Sequence, residues 1–186
     1  AFVEAIKNKQ WELLSSFEAD LQGMLRQYFF VGGMPEAVKS FAEDGDMQTV
    51  RDIQKNILDA YDKDFSKHVP IAEVPRLRMV WNSICGQLSK ENKKFIFGLL
   101  KEGARAKSFE LAIEWLKDAG LVYKVNRTKK GLLSLSAYED FSAFKLFLLD
   151  VGLLGAMCEL PPSALLNKNS IFTDYKGALT EQFVFQ

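Results

Sequence analysis

The sequence predicts a mainly α protein with a small β wing: an N-terminal helical segment, a winged helix-turn-helix domain and a terminal helix. Three observations carry this. Apolar residues recur at helical spacing from Phe2 to Phe65. From Arg76 onward the order becomes helix, turn, stronger helix and then segments of β character, the order of a winged helix-turn-helix. The closing stretch "DYKGALTEQFVFQ" returns to helix.

Each element has a local reason. Over residues 2–30 the apolar positions Phe2, Ile6, Leu13, Leu14, Phe17, Leu21, Leu25, Tyr28 and Phe29 fall on a helical period. "VGGMPEAV" interrupts it: Gly32-Gly33 permit a turn needing positive φ, and Pro35 suits the first turn of a new helix running to about Phe41. Asp46 caps the next, long helix, whose apolar face carries Val50, Ile53, Ile57, Ala60, Tyr61 and Phe65. "HVPIAEVP" breaks the chain, and the main domain boundary is placed there. Beyond it "RLRMVWNSICGQLSK" is an amphipathic helix and "KKFIFGLLKEG" a short apolar piece with a turn. "RAKSFELAIEWLKDAG" is a strong helix ending at Gly120, a C′ glycine. "LVYKVNR" and the alternating "LSLSAY" flank a basic turn, "TKKGLL", and "FKLFLLD" reads as a buried strand. "VGLLGAM" is a short helix and "ELPPSALLNKN" a linker; Asp174 is placed as the cap of a helix over 177–186. That last helix leaves Leu179, Phe183 and Phe185 to be covered, so a partner element is expected to follow it and the chain is expected to be a fragment.

Composition sets limits on function. At zero formal net charge the molecule exerts no global pull on nucleic acid or anionic membrane, so any such signal must be local. The longest apolar run, "FKLFLLDVGLLGAM", is broken by Lys145, Asp150 and two glycines, and no membrane span is expected. Cys85 and Cys158 lie far apart in apolar helical surroundings and read as small core residues of a reducing compartment, the cytoplasm, not as a disulfide. Catalytic signatures are missing: there is no Walker A motif and no paired cysteine ligands, and the one histidine, His68, has no organised partner. Asp59, Asp62 and Asp64 point apart at helical spacing, with Lys63 and Lys67 beside them, so no metal site is assigned.

Charge is unevenly spread. Residues 90–130 hold eleven basic against five acidic side chains, a surplus of six, whereas residues 1–70 hold eight basic against twelve acidic. The basic residues Lys93, Lys94, Lys101, Arg105, Lys107, Arg127, Lys129 and Lys130 are therefore the candidate nucleic-acid contacts, with the turn "NRTKKG" as the tip of a wing. The helix that would read bases argues against sequence-specific recognition. Phe109, Ala112, Ile113 and Leu116 form its buried face and Leu111 and Trp115 a second apolar flank, which leaves Lys107, Glu110, Glu114, Lys117 and Asp118, net negative by one, for solvent.

Taken in order, "YFFVGGMPEAV", "VRDIQKNILDAYDKDFSK", "LSKENKKFIFGLLKEGARAKSFELAIEWLKDAGLVYKV", "AFKLFLLDVGLLGAM" and "FTDYKGALTEQFVFQ" resemble a family of prokaryotic AAA+-type P-loop ATPases. In that family the ATPase domain is followed by a domain of unknown function and a nuclease-like region, and the resemblance covers essentially the whole chain. It implies a lid-like helical segment over 1–70, a winged-helix domain over 75–158, and over 159–186 a linker with the first helix of a truncated nuclease-like domain. With no P-loop in the sequence, ATP and Mg²⁺ are expected only for the parent's missing ATPase domain, and no cofactor for this segment. Glu181 matches a first-helix glutamate of such nucleases, but alone it cannot hold Mg²⁺, which takes several oxygen ligands. The expected role is a non-catalytic regulatory segment that contacts DNA through the basic wing. The alternatives are the substrate-positioning part of a nuclease-like protein and a protein-docking winged helix. Expected partners are DNA, the parent's ATPase and nuclease-like domains, and a second copy of the chain.

Overall fold

A computed structural model describes residues 2–90, 92–129, 131, 135–163 and 170–186. The protein is mainly α with one small two-stranded antiparallel sheet. Helices α1 (Phe2–Lys7), α2 (Trp11–Ser16), α3 (Glu18–Val31), α4 (Pro35–Asp44), α5 (Met47–His68) and α6 (Val74–Ser89) come first. Two 3₁₀ turns, Phe97–Leu99 and Ala106–Ser108, lead to α7 (Glu110–Asp118). Strands β1 (Val122–Thr128) and β2 (Glu139–Leu148), then α8 (Val151–Met157) and α9 (Ser170–Phe185), complete the order. Among the described residues no helix is long and apolar enough to cross a membrane.

The local signals act as their chemistry requires. Asp46 caps α5 by accepting hydrogen bonds from the Gln48 and Thr49 amides, and Pro35 stands in the first turn of α4. Gly120 takes a φ of 70° after α7. Phe109, Ala112, Ile113 and Leu116 are buried, as the helical period predicts, while Leu111 is 53% exposed.

Four expectations are corrected. The helical period over residues 2–30 is carried by three helices rather than one, interrupted near Lys9, whose φ of 52° no right-handed helix accommodates, and again at Phe17. The part of "LSLSAY" that is described, Leu135–Tyr138, is a 3₁₀ turn; the second strand begins at Glu139 and pairs Val122 with Leu148 through Asn126 with Phe144, then shifts register to Arg127 with Asp140. Asp174 lies inside α9, which starts at Ser170. The apolar side of α9 is covered from within the chain only in part: Leu179 is buried, while Phe183 and Phe185 stay 38% and 37% exposed, as expected. Ala178 and Leu179 are buried in the core, and the Phe183 ring meets Phe29 edge-on at 5.4 Å while that of Phe185 stacks on Phe147 at 4.9 Å.

A fifth correction concerns the cysteines. Cys85 of α6 and Cys158 at the end of α8 are joined by a disulfide, their Cα atoms 5.5 Å apart. Their separation of 73 residues conceals that α6 and the end of α8 lie side by side.

Buried polar groups organise the rest. One hydrophobic cluster takes residues from both sides of Pro70–Pro75, among them Phe30, Val50, Leu77, Ile113, Leu148 and Leu154. Gln54 of α5, fully buried, donates to the Phe30 and Val31 carbonyls at 2.7 and 3.0 Å and so satisfies the C-terminal end of α3. Arg51, 4% exposed, donates to the Gln54 side chain and to the Gly152 and Leu160 carbonyls, with its guanidinium 4.1 Å above the Phe30 ring. Burial lowers its pKa to about 10. Asp150 accepts from the Gly33 amide at 2.6 Å and from the Leu153 amide at 2.9 Å, which ties "GGMPE" to "LLDVGLLG". Gly32, at φ 69°, leaves room for that carboxylate: a Cβ would sit 2.2 Å from its oxygen.

Candidate nucleic-acid interface

The basic residues singled out by the sequence are displayed from a backbone that phenylalanines and one glutamine hold in place. The Phe95 ring stacks on that of Phe144 at 5.5 Å and 12°, Phe97 meets Phe144 edge-on at 6.1 Å, and Phe97 also approaches Phe109 at 6.2 Å. The Phe95 amide donates to the Phe144 carbonyl at 2.6 Å, so residues 93–97 run beside the edge of β2 that β1 leaves open. Gln87 of α6 completes the hold: its amide nitrogen donates to the Ile96 carbonyl at 2.8 Å and its oxygen accepts from the Ile96 amide at 3.0 Å. Apolar rings inside and short polar turns outside leave the lysines between them facing water.

Lys93, Lys94, Lys101, Arg105 and Lys107 are exposed along this segment and its 3₁₀ turns, and Lys129 is exposed just after β1, its amide donating to the Tyr138 carbonyl at 2.9 Å. None of these six has a carboxylate within ion-pair distance among the described residues. Lys130 lies outside the described residues.

Arg127 differs. Its guanidinium binds Asp140 at 2.7 Å, and Asp140 also accepts from the Ser142 hydroxyl at 2.6 Å and the Ser142 amide at 3.1 Å. The hydrogen bonds from Ser142 and then from Arg127 hold the Asp140 carboxyl well below the usual carboxylate range. Lys93 and Arg127 come together with Lys145 and Asn126 around a depression of about 240 Å³ floored by Phe144 and Phe147.

Lys145 was not singled out in the sequence. It is held by both oxygens of Glu181 at 2.7 and 2.8 Å, which gives Glu181 an ion-pairing role in this chain. On α7, Glu114 binds Lys117 at 2.5 Å and Lys124 at 3.7 Å, and the hydrogen bond from Lys117 lowers its pKa. Charge counting finds Lys117 and Lys124 but not their partner; an i, i+3 acid on the same helix is the one readable signal, for Lys117.

Two of the α5 aspartates are drawn into ion pairs. Asp62 pairs with Arg78 at 3.0 Å and Asp64 with Lys67 at 2.7 Å, and among the described residues no three His, Cys, Asp or Glu side chains gather as a metal site would need.

Comparison with known proteins yields one match: the family described as a domain of unknown function, DUF8612, aligns with residues 22–164. No curated protein and no solved structure matches.

Proposed function

Given that the chain belongs to the DUF8612 family, we propose that it is a non-catalytic binding segment that contacts DNA without sequence preference through Lys93, Lys94, Lys101, Arg105, Lys107 and Lys129. The observation that carries this reading is the contrast within one basic region: these six are exposed and unpaired among the described residues, while Lys117, Lys124, Arg127 and Lys145 are each engaged by a carboxylate. Phosphate contact by six cations would supply affinity and orientation without base recognition. The winged-helix reading of 75–158 assigns α7 to the groove, and its exposed Glu110 and self-paired Glu114 support backbone contact over base contact. On the resemblance to AAA+-type ATPases, the segment would link the nucleotide state of a cytoplasmic parent to its DNA.

Fluorescence anisotropy of the chain with a random-sequence duplex at low and moderate salt tests the proposal. Binding should weaken steeply with salt, with a logarithmic slope of about 0.9 for each phosphate contacted. Lys93→Glu with Lys129→Glu should abolish it, whereas Arg127→Ala should alter it little because that side chain already serves Asp140. Absence of binding at low salt overturns the reading. It would favour protein docking instead, for which exposed Leu111 and a nearby cavity of about 270 Å³ lined by Trp115, Tyr61 and Phe65 provide an apolar surface.

A further inference from the structure

The disulfide stands apart from the basic surface and borders a different feature. Cys85 lies one helical turn beyond Trp81 on α6, and Cys158 lies between Met157 and Glu159. Trp81, Met157 and Glu159 all line a cleft of about 740 Å³ whose opposite wall, from α5, presents Asp59 and Asp62. The covalent bond therefore joins two of the walls. Both cysteines are only half-buried, which leaves the bond within reach of a thiol.

The turn after α8 is held otherwise by the Leu160 side chain, which is buried in the common core, and by three hydrogen bonds. The Glu159 amide donates to the Ala156 carbonyl and the Leu160 amide to the Gly155 carbonyl, each at 3.0 Å, and Arg51 donates to the Leu160 carbonyl at 3.0 Å. Glu159 takes φ 55°, a region that disfavours any residue with a side chain. The helices on either side are secured independently: Leu77 and Ile84 of α6 and Leu153 and Leu154 of α8 are almost fully buried in the common core. Loss of the bond would free the turn before it freed the helices.

We infer that Cys85–Cys158 is a reducible clasp, which when oxidised holds the turn at Met157–Glu159 against α6 as a wall of the cleft and when reduced loosens it while the helices stay folded. The reductant is a dithiol. Its thiolate attacks one sulfur, the S–S bond breaks to give a mixed disulfide, and the other cysteine departs as a thiolate that takes a proton. The reductant's second thiol then displaces the remaining cysteine. Two electrons pass, leaving two protein thiols and an oxidised dithiol; a disulfide oxidant reverses the exchange.

The test uses the full chain, oxidised, in native buffer with dithiothreitol as the dithiol. Maleimide labelling read by mass spectrometry counts the thiols, circular dichroism follows the helices, and a glutamate-specific protease reports cleavage after Glu159. The expected result is two labelled thiols, an unchanged helical signal and cleavage after Glu159 faster by about tenfold, which corresponds to about 1.4 kcal/mol of local stability. Protein re-oxidised with oxidised glutathione before labelling and proteolysis should show no labelled thiol and slow cleavage again, and Cys158→Ser should show the fast cleavage without any reductant. Four outcomes overturn the clasp: thiols labelled only after urea is added, reduction that collapses the helical signal, reduction that leaves cleavage after Glu159 unchanged, or reduced protein that oxidised glutathione fails to re-bridge.

Discussion

Replacing Gln182 with methionine isolates what docks α9 onto the sheet. The Gln182 side chain is fully buried; its oxygen accepts from the Leu148 amide at 3.0 Å and its nitrogen donates to the Leu148 carbonyl at 2.6 Å. It occupies the place a neighbouring strand residue would take on the edge of β2. Methionine keeps the length and most of the volume but can serve neither group, so one amide and one carbonyl are orphaned out of reach of water. At about 1–3 kcal/mol for each unsatisfied group, the loss should be about 2–6 kcal/mol. Urea denaturation followed by circular dichroism measures it; a loss of 3 kcal/mol corresponds to a fall in Tm of about 6–12 °C. Gln182→Glu sharpens the test. A protonated glutamic acid carries one donor and one acceptor and can make both bonds; a carboxylate cannot donate to the Leu148 carbonyl. Burial raises the folded pKa of the introduced acid above its unfolded value near 4.3, so the stability it restores is fully present below that value and lost as pH rises through the folded pKa. A loss under about 1 kcal/mol for Gln182→Met, or a Gln182→Glu variant with no recovery in acid relative to Gln182→Met, would mean that these two hydrogen bonds do not dock α9.

Three further outcomes are expected. Gly152→Ala places a Cβ 2.6 Å from the Val31 carbonyl oxygen and should cost about 2–3 kcal/mol in urea denaturation. Gly155→Ala, whose Cβ would make ordinary contacts with the Arg51 guanidinium at 3.6 Å and the Phe29 carbonyl oxygen at 3.9 Å, should stay within about 1 kcal/mol of wild type. Because the folded-state pKa of Asp140 is depressed, its contribution to stability is present above its unfolded value near 3.9 and is lost as pH falls below that; the gap between wild type and Asp140→Asn should therefore be constant at neutral pH and shrink in acid.

Legibility in the sequence followed the range of the interaction. Asp46, Pro35 and Gly120 act within one turn of backbone, so their roles follow from residue type and position. The face of α7 was legible because a helical period needs no knowledge of the partner. The glutamines were not. Gln54, Gln87 and Gln182 each sit on an apolar helix face, between Val50 and Ile57, beside Ile84 and Leu88, and beside Leu179, which is the one hint that a polar side chain there must find backbone partners. Which backbone groups these are depends on chain returning from 9 to 34 positions away.

The same division holds for the basic region. The mainly α class, the caps, the breaks, the buried side of α7 and the surplus of positive charge over 90–130 are set by neighbours along the chain and are read from residue order alone. Which cations are spent internally, Arg127 on Asp140 and Lys145 on Glu181, follows from packing. Packing also brings Cys85 to Cys158 and buries Leu179 of α9. Pairing and bonding depend on distances of a few ångströms between residues far apart in sequence, and those distances are fixed only when the core closes.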